Sequence, residues 1–371
     1  MPANSNSTAK LDKEMTARAI DLARRGIGLV SPNPLVGCVV VSADGQNVGE
    51  GFYRKDEVTH AEVISLSLAG ERAKAGTAYV SLEPHDHHGK TAPCTEALIN
   101  AGVARVVCPI EDPNPLVSGK GFARLREAGI EVVHGMLADE ASKLNEKFIC
   151  WHKKKRPFVH LKLAMSLDGR ISMKNSVSTV LSGKAARDRV QELRHEHDAI
   201  LVGANTAVVD NPSLTDRSGK PRRRPLARVI LDNRLRLPPN STLATTTDDA
   251  PTIVFTNCID PDAVGRLSDK GVEVVPIEGG TRNVDLVLDE LYKREIQSIL
   301  VEGGTSVAGA FVDARLVDKV TFIYSPMLIG GSDAPVAIGG DGASDVSSAL
   351  GLGDIEIIPH GDDIEITGYP K

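Results

Sequence analysis

Aromatic side chains are scarce in this 371-residue sequence: one Trp, five Tyr and seven Phe make up 4% of it. That scarcity excludes the stacking platforms on which single-strand-binding proteins hold successive bases. A positive charge excess is lacking as well. The 43 Lys and Arg are outnumbered by 49 Asp and Glu, and the net charge of −6 argues against nucleic acid as a partner. No apolar stretch reaches the roughly 18 residues that span a bilayer, so no membrane partner is expected. Met1 to Leu11 are polar and hold no apolar core of a signal peptide; residues 1–11 are expected to be disordered. The five cysteines (Cys38, Cys94, Cys108, Cys150, Cys258) are odd in number and scattered. They fit a reducing cytoplasm, bacterial by default, better than a disulfide framework.

What is present is average for a globular protein, with 41% hydrophobic and 25% charged residues. The length calls for two or three domains. Met15, Ala19, Ile20, Leu22 and Ala23 recur at helical spacing, and Val36–Val41 reads as a buried strand after the Pro32–Pro34 turn. Helices are then expected from His60, from Cys94, in the 120s and from Asp139. They alternate with strands at Tyr79–Leu82, Arg105–Cys108 and Ile130–Val133. That rhythm predicts an α/β fold with a largely parallel sheet. The basic run Trp151–Pro157 interrupts it, and the domain boundary is placed there: one domain over 12–152, another over 157–371. Strands resume at Phe158–Leu163, Ala199–Val202, Arg228–Leu231, Thr252–Phe255, Val272–Val275, Ile299–Glu302 and Val320–Tyr324. A second basic run, Lys220–Arg224, reads as a solvated loop.

Chemistry enters with His60-Ala61-Glu62 at a helix start, followed by Pro84-His85 after a strand and Pro93-Cys94 opening the next helix. Hydrolytic deamination needs a metal to make water nucleophilic near neutral pH, and a carboxylate to carry its proton to the leaving amine. In zinc deaminases an H-x-E pair supplies one ligand and that carboxylate, and a P-C turn supplies further ligands. A helix N-terminus favours the thiolate at Cys94. Taken alone, His60 and Glu62 are a weak signal, more commonly a helix-capping or surface pair; the Pro-led candidates at strand–helix junctions reverse the balance towards zinc.

Pro32-Asn33-Pro34-Leu35-Val36-Gly37, His60-Ala61-Glu62-Val63, Leu82-Glu83-Pro84, His87-His88-Gly89-Lys90-Thr91, Pro93-Cys94-Thr95-Glu96-Ala97-Leu98 and Asp112-Pro113-Asn114-Pro115 together resemble the bifunctional riboflavin-biosynthesis deaminase–reductases of the RibD type. The resemblance continues across the second half. It implies a cytidine-deaminase-like three-layer domain followed by a dihydrofolate-reductase-like α/β domain, and Zn²⁺ and NADPH as cofactors. It also implies a pyrimidine ribosyl phosphate as substrate and a homodimer or higher homo-oligomer. The ligands it implies are His60, Cys94 and His85, with Glu62 as proton carrier. His85 stands where the family has cysteine, and Asp86 follows where a small residue is usual. A His₂Cys site is ordinary zinc chemistry; the alternative is a decayed deaminase in which His85 is a bystander. Asn33 resembles the reader of the pyrimidine amide edge, and His88 and Lys90 look placed to meet the ring or the phosphate. Without the resemblance, Asn33 is a turn residue and Lys90 a solvated one.

No G-x-G-x-x-G opens the second half, so a Rossmann reading fails. Instead, Leu161–Arg170 runs into a Ser-Leu-Asp-Gly turn, and Val301–Gly309 carries a glycine turn into a small-residue helix start, where backbone N–H groups can approach a phosphate. By the resemblance, Ala164, Val180, Thr206, Asp210, Asn233, Gly304, Thr305, Ser306, Val307, Ala308 and Gly309 line the NADPH site. Ser178, Arg194, Leu214, Arg217 and Glu302 meet the substrate, with arginine suited to its phosphate. Val180 replaces a usual aromatic, so one stacking contact is expected to be missing. The implied step is hydride transfer to C1 of a ribosylamino group, with Asp210 or a water as proton source.

Overall fold

The computed structural model describes residues 5–57, 59–88, 92–174 and 180–371. Two compact units emerge, Met1–Lys155 and Arg156–Lys371, divided inside the basic run that interrupts the sequence rhythm.

The first unit runs α1 (Ser5–Arg24), β1 (Gly37–Val41), β2 (Asn47–Phe52), α2 (Ala61–Ala69), β3 (Thr77–Val80) and α3 (Cys94–Asn100). It continues with β4 (Arg105–Cys108), α4 (Lys120–Glu127), β5 (Glu131–His134), α5 (Ala138–Leu144) and α6 (Glu146–Lys154). Two expectations are corrected here. The terminus is already helical from Ser5, with residues 7–10 exposed and side chains buried only from Asp12 onward. The five strands, ordered β2-β1-β3-β4-β5, form a mixed sheet rather than a largely parallel one, for β1 is antiparallel to both β2 and β3. Alternation along β1 explains the three layers: Val39 and Val41 meet Ala19 and Leu22 of α1, while Cys38 and Val40 meet Ala61, Leu98 and Leu125 on the opposite face. Asp12 fastens α1 to the sheet by accepting from Tyr79 Oη at 2.9 Å and from both terminal nitrogens of Arg105 at 2.7 and 2.8 Å.

The second unit runs β6 (Phe158–Ser166), α7 (Lys184–His195), β7 (Ala199–Gly203), α8 (Ala204–Val209), β8 (Ala227–Leu231), α9 (Thr242–Thr245) and β9 (Thr252–Thr256). Then come α10 (Pro261–Ser268), β10 (Glu273–Pro276), α11 (Val284–Lys293), β11 (Ser298–Val301), α12 (Thr305–Asp313), β12 (Lys319–Ser325), β13 (Leu352–His360) and β14 (Asp363–Pro370). Its nine strands are ordered β10-β9-β8-β7-β11-β6-β12-β14-β13, parallel except where β14 pairs with β12 and β13. The chain steps outward from β7 to β10 and then returns through β11, between β7 and β6. Such a reversal leaves a crevice at the carboxyl ends of the strands, where open α/β sheets bind ligands.

The second basic run is not solvated throughout. Arg222 is half-buried and donates to the carbonyls of Arg194, His195 and His197, the open C-terminal end of α7, and to Asp216. A cation there satisfies carbonyls that have no helical partner.

Candidate active sites

In the first unit, close approach of backbone to backbone sets the site. A Cβ on Gly49 would lie 2.0 Å from Ser65 O, and one on Gly51 would lie 2.7 Å from Ala61 O. These two glycines of β2 let α2 press flat on the sheet, which carries Glu62 inward to 3% exposure. His60 is the residue before α2, with extended backbone and no capping bond from its side chain to the helix. The segment bearing His85 is bolted from behind. Buried Glu83 accepts from the N–H groups of Asp112, Gly119 and Phe122 at 3.0, 3.0 and 3.2 Å. Gly121 lies so near Pro84 that its Cβ would sit 1.9 Å from the Pro84 carbonyl. From the front, Thr95 donates its N–H to His85 O at 3.3 Å and its hydroxyl to Asp86 at 2.5 Å, tying this segment to the start of α3 at Cys94.

These constraints bring one donor atom each of His60, His85 and Cys94 within 4.8 Å of one another. The His60 and His85 ring centroids are 4.6 Å apart, and Tyr53 flanks His60 at 5.1 Å while accepting from Asn33 Nδ2 at 3.2 Å. Burial, aided by the neighbouring His60 and His87, holds His85 down to about 4, so its imidazole is neutral and keeps a lone pair for a metal. Burial and the nearby Glu62 carboxylate push the Cys94 thiol upward, and the thiol hydrogen-bonds that carboxylate. Three donors aimed at one point, with a thiol whose anion needs a neighbouring cation, are what zinc binds. Glu62 Oε2 is buried without a hydrogen-bond partner among the described residues. Such an orphaned acceptor beside three ligands awaits a proton donor that arrives with the ligand.

The bolt itself titrates. Burial lifts the Asp112 carboxyl to about 6; the Asn114 N–H opposes this and the charge of Glu83 adds to it. A folded-state pKa above the ordinary 3.8 means stability that is full at about pH 4 and lost as pH rises through about 6. Asp112→Asn keeps the acceptor and removes the charge. We expect it to be more stable than wild type at pH 7.5, on the order of 2 kcal/mol, and equal to it at about pH 4. The only tryptophan, Trp151, lies in α6 of this unit, so urea unfolding followed by its fluorescence reads the effect. Equal curves at both pH values would contradict it.

In the second unit, the crevice at the β7, β8 and β11 ends is a cleft of about 560 Å³. The turn from β11 into α12 uses Gly303 at φ +90°, a conformation that favours glycine. It places Gly304, Thr305, Ser306 and Val307 on one wall of the cleft, facing Thr206 and Asp210 from α8 and Asn233 from the loop after β8. At the end of β11, Glu302 accepts from Arg194 Nε at 2.8 Å and from its terminal nitrogen at 2.9 Å. Burial works against ionising Glu302, but Arg194 outweighs it and holds the carboxyl below its ordinary range. Lys162 of β6 is 7% exposed and makes no hydrogen bond among the described residues; burial pulls its ammonium down while Glu302 pulls it back up.

Comparison with known proteins identifies both units. A family model described as "RibD C-terminal domain" matches residues 157–364, and one described as "Cytidine and deoxycytidylate deaminase zinc-binding region" matches residues 9–110. The riboflavin biosynthesis protein RibD of Bacillus amyloliquefaciens is 43% identical over 354 residues, covering 95% of each chain. The chain belongs to the RibD family. A solved structure of Acinetobacter baumannii RibD superposes with a TM-score of 0.87 at 37% identity, covering 98% of this chain and 99% of that one. A Thermotoga maritima deaminase/reductase gives 0.86 at 37%, with the same coverage. The chain is thus a bifunctional enzyme of riboflavin biosynthesis, a zinc-dependent deaminase followed by an NADPH-dependent reductase. The alternative of a decayed deaminase domain is set aside: the zinc-binding family model runs through His85, whose ring nitrogen stands among the convergent donors.

Not every residue that the RibD resemblance points to lies on the cleft. Lys90 and Ser178 lie outside the described residues. Val180 is 74% exposed, and Ala164 packs against Ala186, Val190 and Ile323. Ala308 and Gly309 are interior to α12, Gly309 because Gly339 and Gly340 pass too close for any side chain. Leu214 is 3% exposed in the core at φ +49°, which leaves only its backbone for a ligand. Arg194 commits its fork to Glu302 and Thr215 O, whereas Arg217 is exposed and its guanidinium has no partner among the described residues. In the first unit, His88 is exposed and paired with Glu96 at 3.3 Å. Sequence reasoning passed over Lys162, and also Arg234, Arg236 and Arg282 on the cleft wall. A lysine inside an apolar strand is a signal it could have used.

Proposed function

We propose that the first unit deaminates 2,5-diamino-6-(5-phosphoribosylamino)pyrimidin-4-one and that the second then reduces the ribosyl group of the product to ribityl. The convergence of His60, His85 and Cys94 beside the unpartnered Glu62 oxygen carries the first step. Zinc, when bound, supplies the Lewis acidity that makes water a nucleophile near neutral pH. His60, His85 and Cys94 hold it. Glu62 takes the proton from the attacking water at Oε2 and passes it to the departing amine, which leaves as ammonia. Asn33, steadied by Tyr53, hydrogen-bonds the pyrimidine amide edge.

In the second unit NADPH, when bound, supplies the hydride. The first turn of α12 offers N–H groups to its diphosphate, and Thr206, Asp210 and Asn233 line its path. Arg217 takes the substrate phosphate, a role that Arg194 yields by pairing with Glu302. That pair fixes the carboxylate at the end of β11, and buried Lys162 beside it, with its ammonium acidified by burial, is the better proton source than Asp210 on the exposed wall.

Three further readings follow from the same chain. Residues 12–152 and 157–371 are separate domains, supported by the division at Lys155. A homodimer or higher oligomer forms through the second, whose edge strand β13 and its neighbour expose Ile355, Ile357, Ile358 and Ile364. Edge strands with exposed apolar residues invite pairing; light scattering on the full chain tests it, and a monomer at micromolar concentration rules it out. Five reduced cysteines support a cytoplasmic site of action. The reaction order is tested on the full chain by following ammonia and NADPH oxidation together. Ammonia release must precede NADPH oxidation, in equal final amounts; NADPH consumed without ammonia would overturn the order.

A further inference from the structure

The end of the cleft away from α12 is walled by two loops that are clipped together. After β8, Asp232 is 1% exposed, and its carboxylate accepts from the N–H groups of Arg234 at 3.3 Å and Leu237 at 2.9 Å. These bonds curl residues 232–237 so that Arg234 and Arg236 both stand on the cleft. Asn233 Oδ1 accepts the Thr281 N–H at 2.8 Å, which draws the second loop in and sets Arg282 on the same wall. Gly280, at φ +84°, allows that approach, for its Cβ would come within 3.1 Å of Asn233 Oδ1.

Arg234, Arg236 and Arg282 thus line the cleft from the loops after β8 and β10, while α12 lines it from the end of β11, with β7 lying between β8 and β11 in the sheet. Arg234 and Arg282 have no ion-pair or hydrogen-bond partner for their side chains among the described residues. Arg236 stands 3.9 Å from Asp232 and keeps half its side chain exposed. A dinucleotide lying across the cleft with its diphosphate at α12 carries its adenosine ribose towards those loops. Dinucleotide sites sort their ligands there: an acid after the strand accepts the 2′-hydroxyl of NADH, and arginine accommodates the 2′-phosphate of NADPH. Here an acid does follow the strand, but Asp232 has turned both oxygens to backbone N–H groups, and the arginines are left to set the local field.

We propose that Arg234, Arg236 and Arg282 form the subsite for the 2′-phosphate and make this reductase prefer NADPH to NADH. The proposal rests on reading the cleft as the cofactor site and adds the residues that discriminate.

Direct binding tests it, without turnover. The full chain is titrated calorimetrically with NADPH, NADH, 2′,5′-ADP and 5′-ADP, as wild type, R234S/R236S and R282S. Wild type should prefer NADPH to NADH and 2′,5′-ADP to 5′-ADP, with affinity for the phosphorylated members falling as salt rises. R234S/R236S should lose about ten- to a hundredfold in NADPH affinity, the loss of one or two charge-assisted bonds, with NADH affinity within about threefold of wild type on the same measure. R282S should lose less, in the same direction. Unchanged zinc content and melting temperature show that the variants are folded. Equal losses for NADPH and NADH, or no loss of either, overturn the subsite. Equal affinity of wild type for both overturns the subsite alone, while failure to bind either overturns the cofactor reading and the subsite with it.

Discussion

His85→Ala is expected to empty the zinc site, and His85→Cys to keep it filled. Among the described residues, alanine leaves only His60 and Cys94 as convergent donors, and two protein ligands fall short of the three that a catalytic zinc site uses. The loss in zinc affinity should exceed the roughly 10–100-fold seen when a mere supporting partner of a ligand is removed. Deamination should fall with it, and NADPH oxidation by an already deaminated substrate should not. Cysteine restores a thiolate where the resemblance expects one. The site then carries one unit less positive charge, so the acidic limb of the deamination profile should move to higher pH. Zinc content and that profile, measured together for wild type and both variants, check the assignment. An alanine variant that retains zinc and activity would show that a neighbour such as Asp86, or His87 with its ring 5.1 Å from that of His85, has taken the ligand's place.

The second large effect is expected from Glu62→Gln, which should cut deamination by about 10²–10⁴ while leaving zinc in place. Glutamine matches the size of glutamate and can keep the hydrogen bond to the Cys94 thiol, but it cannot hold the travelling proton. Because the lost function is proton transfer, added zinc should not rescue it. Ammonia release and bound metal separate the two roles of this residue. Wild-type release would remove Glu62 from the chemistry, and joint loss of zinc and activity would make it a ligand instead.

Much of the first site was legible because its parts are local. His60, Glu62 and Cys94 lie at strand–helix turns, where a side chain's direction follows from the turn. His85 was legible only as a question, since its residue type departs from the resemblance. What supports it was not legible at all. Glu83 is joined to Asp112, Gly119 and Phe122, and Gly121 to Pro84, across separations that no periodicity reports. Strand β2 was missed for a related reason: Gly49 and Gly51 break up its apolar pattern, yet they are glycine because α2 crosses them. The hairpin β13–β14 was passed over because Gly, Pro and Asp interrupt its isoleucines, and Pro359 is tolerated on an edge strand. In the second unit the glycine turn at Gly303–Gly304 was visible, but not that Arg194 would be consumed by Glu302, or that Leu214 would turn into the core. Those outcomes depend on which strands become neighbours, and β11 enters between β7 and β6 only after about a hundred residues of intervening chain.

The zinc content of the full-length protein, purified without added metal or chelator, tests the central claim most directly. The account predicts about one zinc per chain, the stoichiometry of a single three-ligand catalytic site. It further predicts that removing this zinc with a chelator stops ammonia release while NADPH oxidation by deaminated substrate continues. A protein that contains no zinc, and that releases ammonia at the same rate before and after chelation, would contradict it.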